Sequence, residues 1–260
     1  MTQLLGGRSD AGRVAREPPA DRAARESSER AYRALNKAGR SDRHSTGWLA
    51  VTGLILLSLI PVLGGAFRLS VLAGGTITAD NARFFASPIP VVAHIVGATV
   101  YCLLGAFQFV PSLRARRGWH RIAGLILIPA GLIAALSGLW MAAFYSFPDG
   151  NSPLLMVIRL AFGSAMVASI MLGIVAIKRR DFVAHGDWMT RAYALGIAAG
   201  TQAIVLAIWV LSVGPLGSVT DALLMGAAWL INAAVAELVI LRRRNGSGTT
   251  SRPGSSASAR

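Results

Sequence analysis

Six stretches of the chain are apolar around their whole circumference, and short charged segments separate them. They run over about 48–67, 89–110, 119–144, 154–177, 188–211 and 219–241. Each is near the roughly 20 residues that an α-helix needs to cross the hydrocarbon of a bilayer. A core helix of a soluble protein would keep one polar face along its length, and none of the six does. Pro61, Pro129 and scattered glycines fall inside the stretches. Membrane helices tolerate them because neighbouring helices re-satisfy the backbone. The pattern predicts an all-α fold: a polytopic membrane bundle of six transmembrane helices occupying residues 48–244.

The flanks read differently. Residues 1–47 hold ten Lys and Arg against six Asp and Glu, and no apolar run of the kind a cleaved signal peptide carries. Asp21–Arg25, Glu26–Arg30 and Glu29–Arg33 are acid-before-base pairs four residues apart, which favour a nascent helix. Only Tyr32 and Leu35 could pack such a helix down, so the segment reads as a disordered, basic cytoplasmic tail. Residues 245–260 are rich in Gly, Ser and Thr and read as a second flexible tail.

Composition agrees with the pattern. The chain is 53% apolar and 15% charged, against about 45–50% and about 25% in soluble domains. A single cysteine excludes a disulfide scaffold. The net charge of +14 would suggest a nucleic-acid partner on a soluble domain, but the placement of the basic residues argues otherwise. All but Arg68, Arg83 and Arg159 of the 26 Lys and Arg lie in the tails or beside alternate span ends. Cytoplasmic loops carry such an excess. Both termini are therefore expected in the cytoplasm, with loops near 68–88, 145–153 and 212–218 outside. The expected partner is the lipid bilayer, and no nucleic acid.

Polar residues carried into a membrane are costly and usually face the bundle interior. His94, Tyr101 and Gln108 recur every seven residues in the second stretch, with Gly97, Ala98 and Gly105 on the same face. That face suits either a packing seam or the lining of a solute path. Gly131 and Gly138 in the third stretch mark a close helix contact. His120-Arg121 opens that stretch, and Asp181, His185, Asp187 and Arg191 introduce the fifth. Asp187 and Arg191 are expected to be partners one turn apart. Arg159 can reach the interface or pair with Asp80 or Asp149, and Glu237 is expected to meet the Arg242–Arg244 cluster. Gln202 and Asn232 are expected to bridge helices, and Cys102 to be an inert buried thiol. Trp48, Trp119 and Trp188 fall at the cytoplasmic rim, where an aromatic belt belongs.

Several segments carry a resemblance. Asp80-Asn81-Ala82-Arg83-Phe84-Phe85 leads through Pro88 and Pro90 to His94-Ile95, then Tyr101 and Leu104-Gly105-Ala106-Phe107-Gln108-Phe109. Leu113-Arg114-Ala115-Arg116, His120-Arg121 and Arg179-Arg180-Asp181-Phe182-Val183-Ala184-His185-Gly186-Asp187-Trp188-Met189-Thr190-Arg191 follow. From about residue 80 to 200 this string resembles the bacterial multi-pass membrane family known as domain of unknown function 2306. The resemblance implies a multi-pass fold and places His94, His120, His185 and Arg191 in motif-bearing segments. It implies no activity.

The chain reads as an integral protein of the bacterial plasma membrane, a structural or partner subunit more readily than an enzyme. A homo-oligomer or a protein partner is compatible with that role. Three other functions are open. His120 and His185, at one depth on different helices, could ligate haem b, with Arg116, Arg117, Arg121 or Arg191 meeting the propionates. That arrangement is similar to cytochrome b561-type bundles. The same histidines with Asp181 or Asp187 could hold a zinc or iron ion at the rim. The His94–Tyr101–Gln108 face could serve a small-solute carrier, although no carboxylate lies mid-bilayer and no inverted repeat is visible.

Overall fold

The computed structural model describes residues 19–114, 116–146 and 153–248. Among them the regular structure is entirely helical. In chain order the helices are α1 (Pro19–Gly74), α2 (Ala82–Ala86), α3 (Pro88–Ala106), α4 (Pro111–Arg114) and α5 (Arg117–Phe144), then α6 (Pro153–Lys178), α7 (Phe182–Gly196), α8 (Ala198–Ser212) and α9 (Ser218–Gly248). A 3-10 turn at Phe107–Phe109 prolongs α3. Six segments are long and apolar enough to cross a membrane: Trp48–Gly74, Pro88–Phe109, Gly118–Phe144, Pro153–Lys178, Phe182–Ser212 and Ser218–Asn245. These are the six expected, and are numbered spans one to six below. Consecutive spans place their connections alternately at two ends. The basic rim carries residues 110–114, 116–117, 179–181 and Arg242–Arg244; the opposite rim carries residues 75–87 and 213–217.

The chain divides into two compact units, Met1–Thr46 and Gly47–Arg260. In the first, the backbone is helical from Pro19. Arg30 and Arg33 bond Glu26 and Glu29 at 3.4 and 3.3 Å, on exposed side chains. Asp21, the acid of the third expected pair, lies outside the described side chains, and residues 1–18 and 249–260 lie outside the described residues altogether.

In the second unit, small residues set how closely the spans approach. A Cβ on Gly97 would stand 2.9 Å from the Ala130 carbonyl oxygen and 3.1 Å from the Ala134 nitrogen. The backbones of spans two and three are therefore in contact there, the close approach that small residues permit in membranes. The ring of Tyr101 is wedged between two glycines, with Cβ positions on Gly131 and Gly196 lying 2.7 and 2.8 Å from its edge. One aromatic side chain thus joins spans two, three and five at the centre of the buried cluster that includes Met166, Ile170 and Tyr193. A Cβ on Gly138 would stand 3.3 Å from the His94 ring. Span one is the most peripheral and is held by Val51 against Ala106 and Val110.

Two local features shape the lower packing. At the end of α6, Arg180 adopts φ 60°, while Asp181 N–H bonds Ala176 O and Arg180 N–H bonds Ile177 O. This is a Schellman ending with arginine in the left-handed position that usually takes glycine. Asp181 then caps α7 by accepting from the Ala184 N–H at 2.9 Å. Span five is broken at Ile197 (φ −82°, ψ −3°) between α7 and α8. The break leaves the Ala194 carbonyl without its helical donor, and the Asn232 amide of span six supplies one at 3.0 Å. Thr201 donates to the other end of the same amide at 2.9 Å. Asn232 and Gln202 both bridge spans five and six, as expected.

The glycine contacts make a direct prediction. Gly97→Ala should lower the thermal midpoint of the detergent-solubilised protein, at a cost of about 1–3 kcal/mol for overpacking. Gly124→Ala, where nothing lies within 4 Å, should leave the midpoint unchanged or raise it. Equal midpoints in the two variants would contradict the close packing of spans two and three.

Candidate functional site

The residues most conspicuous in sequence gather at the basic rim. On α7 the order is acid then base, Asp187 then Arg191; on span six, running the other way, it is Glu237 then Arg244. Antiparallel packing sets each acid beside the base of the other helix. Arg244 donates twice to Asp187, through Nη2 at 2.5 Å and Nε at 3.1 Å, and Asp187 is buried. Arg191 makes a two-pronged bond to Glu237 at 2.5 and 2.9 Å and lies 4.6 Å over the Trp188 ring. Arg243 adds a bond to Thr190 at 3.1 Å. Asp187 and Arg191, expected as partners of each other, are each bonded to span six instead. Glu237, expected to meet the terminal arginine cluster, bonds Arg191, and the Arg244 charge acts on it as a lesser influence. Met189 fills the space over Gly173 of span four. The His185-to-Arg191 motif therefore fastens spans four, five and six together.

Each spanning histidine uses Nδ1 on a neighbouring helix. His94 donates to the Ala134 carbonyl at 2.8 Å, His120 to the Gln108 amide oxygen at 2.5 Å, and His185 to the Gly173 carbonyl at 2.9 Å. The second-span face is consequently divided. His94 and Tyr101 face the bundle interior, whereas Gln108 belongs with His120 at the basic rim. Arg116 and Arg121 are exposed there, and the side chains of Arg114 and Arg117 lie outside the described set. Among the described residues no group of three His, Cys, Asp and Glu side chains could hold a metal ion, so the rim triad is not assembled.

The interior holds a cavity of about 580 Å³ lined by residues of all six spans and of α2. It extends from Arg83, Phe84 and Tyr145 at the opposite rim to Tyr101, Cys102, Met166 and Ile197 mid-bundle. His94, Gln202, Arg159 and Thr99 supply further polar groups, and Phe162, Leu139 and Trp229 apolar walls. Neither His120 nor His185 lines it. A haem placed there would meet one imidazole, His94, and not the two that bis-histidine ligation requires. The mouth is built on aromatic rings. Tyr145 packs edge-on against Phe84 and Trp140 at 5.4 Å, and its hydroxyl donates to Ser87 O at 2.6 Å. Arg68 and Arg83 both lie over the Phe84 ring, at 4.5 and 4.6 Å. Burial, reinforced by the Arg68 charge, holds the Arg83 guanidinium below its ordinary pKa.

A family model described as "Predicted membrane protein (DUF2306)" matches residues 91–240, more than half of the chain. The chain belongs to this family. No curated protein and no solved structure matches it. The DUF2306 segment takes in the rim residues up to Glu237 and most of the cavity. It leaves out Arg244, the residues that span one contributes, and Arg83 and Phe84. It also begins after the Asp80–Pro90 string that carries part of the sequence resemblance.

Local spacing gave no access to three participants. Arg83 and Tyr145 meet only through the packing of α2 against the ends of spans two and three. The carboxylate whose charge acts on Arg159 is Asp221 at the head of span six, not the expected Asp80, and Asp149 lies outside the described residues. The Asp187–Arg244 bond had a readable signal in the matching acid-base order of two antiparallel helices.

That bond can be measured by a double-mutant cycle. Asp187→Leu and Arg244→Leu should each destabilise the protein, and the double variant should cost less than their sum. The expected coupling is about 1–2 kcal/mol, within the range for directly bonded neighbours, read from chemical denaturation in mixed micelles. Strict additivity would mean that the contact contributes nothing.

Proposed function

We propose that this DUF2306 protein lies in the bacterial cell membrane with its basic rim and both termini in the cytoplasm, and that it binds a small molecule in the cavity between its spans. The single observation that carries the binding reading is the cavity itself. Its volume falls within the roughly 300–1,000 Å³ of small-molecule sites, and its walls are apolar with a few converging polar groups. No lining residue of span two lies beyond Tyr101 and Cys102 toward the basic rim. Binding from the opposite side is therefore favoured over passage from one rim to the other. A scaffolding or partner-subunit role is the second reading, favoured by the rim motif, whose polar groups are engaged in joining helices.

Both parts are testable. A reporter active only in the periplasm should be on when fused after Asn151 and off after Arg244; the opposite pattern would reverse the orientation. For the cavity, a diazirine-bearing medium-chain alcohol and the matching acid should be photolysed with the full chain in nanodiscs. Mass spectrometry should place crosslinks on cavity residues of spans two to four. Ala98→Phe and Ala142→Phe, which fill the space, should abolish those crosslinks and spare labelling of lipid-facing residues. Crosslinks confined to the lipid-facing surface would leave scaffolding as the better reading.

A further inference from the structure

Resting on the cavity as a binding site, we propose that its occupant is an apolar molecule with two hydroxyl groups, one donating a hydrogen bond to His94 and the other meeting the hydroxyl of Tyr101. Both residues line the cavity from span two. Tyr101 is 5% exposed, and among the described residues its hydroxyl has no hydrogen-bond partner. That hydroxyl is not sealed in protein either, so the surface it keeps opens on the cavity. A hydroxyl withdrawn from water and left unbonded is costly, and a partner held in the cavity removes the cost.

His94 offers the complementary group. Its Nδ1 donates to the Ala134 carbonyl at 2.8 Å. A carbonyl only accepts, so Nδ1 carries the proton and the neutral ring presents Nε2 as an acceptor. Ser137 Oγ, 3.4 Å away, faces the same Nδ1, and among the described residues nothing donates to Nε2. An acceptor held in this tautomer takes a hydroxyl and refuses an ether oxygen. His94 and Tyr101 are seven residues apart, which is two helical turns and roughly 10 Å along the axis. Helical side chains lean the same way along that axis, so no single oxygen reaches both groups at hydrogen-bond length. Two oxygens set across a ring or a short carbon chain do. The wall suits such a body: Ala98 stands between the two levels on span two, and Phe162 stacks on Trp229 at 5.1 Å.

The test uses the full chain in phosphatidylcholine nanodiscs and two photoprobes of one diazirine-bearing skeleton, a diol with its hydroxyls across a cyclohexane ring and the dimethyl ether of that diol. Cavity crosslinks are normalised to those on lipid-facing residues of the same chain. The diol should label the cavity about fivefold more strongly than the ether, the ratio that one neutral hydrogen bond implies, because only the diol can donate to His94. His94→Leu should bring the ratio towards one. Tyr101→Phe should weaken labelling by both probes and keep their ratio, since the tyrosine hydroxyl can donate to either. Without probe, Tyr101→Phe should melt no lower than wild type, because the hydroxyl it removes bonds nothing in the protein. The wild-type comparison stands even if a variant fails to fold. Equal labelling by diol and ether, a ratio unchanged in His94→Leu, or a lower melting point with undiminished labelling in Tyr101→Phe overturns the proposal and leaves the cavity as a site. Cavity labelling by the medium-chain alcohol but not by the diol does the same. Absence of cavity labelling by every probe overturns both readings.

Discussion

Inside a bilayer no water stands ready to hydrogen-bond a stray donor or acceptor, so polar groups carried into a span must be satisfied by protein. Most of the described contacts between spans answer that constraint. The three spanning histidines bond neighbouring helices through Nδ1. Asn232 mends the carbonyl opened by the break in span five, and Tyr193 donates its hydroxyl to the Cys102 carbonyl at 2.8 Å. Hydrophobicity cannot hold one span to another when lipid is equally apolar. Close packing at small residues and these bonds therefore carry the assembly.

The cavity lies away from the paired charges of the basic rim. At the basic rim the space between helices is closed by paired charges and by long side chains such as Met189 over Gly173. Toward the opposite rim the facing residues are small: Ala98, Ala135, Gly138, Ala142 and Gly163. The break at Ile197 adds to this, because α8 need not continue the path of α7. Tyr101, fixed between Gly131 and Gly196, forms the floor. What reads as one stripe of polar and small positions, with a polar residue every seventh, is thus two structures in series, a cavity wall above Tyr101 and a rim bond at Gln108.

The number of spans and their order were legible because length and hydropathy are local properties, and a bilayer imposes one length on all of them. The close contacts at Gly131 and Gly138 were legible for a similar reason, since a glycine repeat on one face has few other uses. The pairing of charges was not. Asp187 and Arg191 satisfy a helical spacing rule, yet a partner 57 residues away in sequence wins because it comes from an antiparallel helix with the complementary order. Helical spacing says which residues share a face, and only the neighbouring helix decides what that face meets. The meeting of Arg83 with Tyr145 was not legible because both lie in short segments between spans, whose conformation depends on packing and not on periodicity.

The three basic residues that break the charge asymmetry are informative for that reason. Arg68, Arg83 and Arg159 would add nothing to orientation at the opposite rim, and Arg68 and Arg159, which lie inside spans, carry a desolvation cost. In the fold they are grouped: Arg68 and Arg83 share the Phe84 ring, and Arg83 and Arg159 share the cavity. The abundant cations at the basic rim are accounted for by topology and by acids on neighbouring helices. Those at the opposite rim feel acids too, Asp80 for Arg83 and Asp221 for Arg159, and what sets them apart is that two of the three line one cavity.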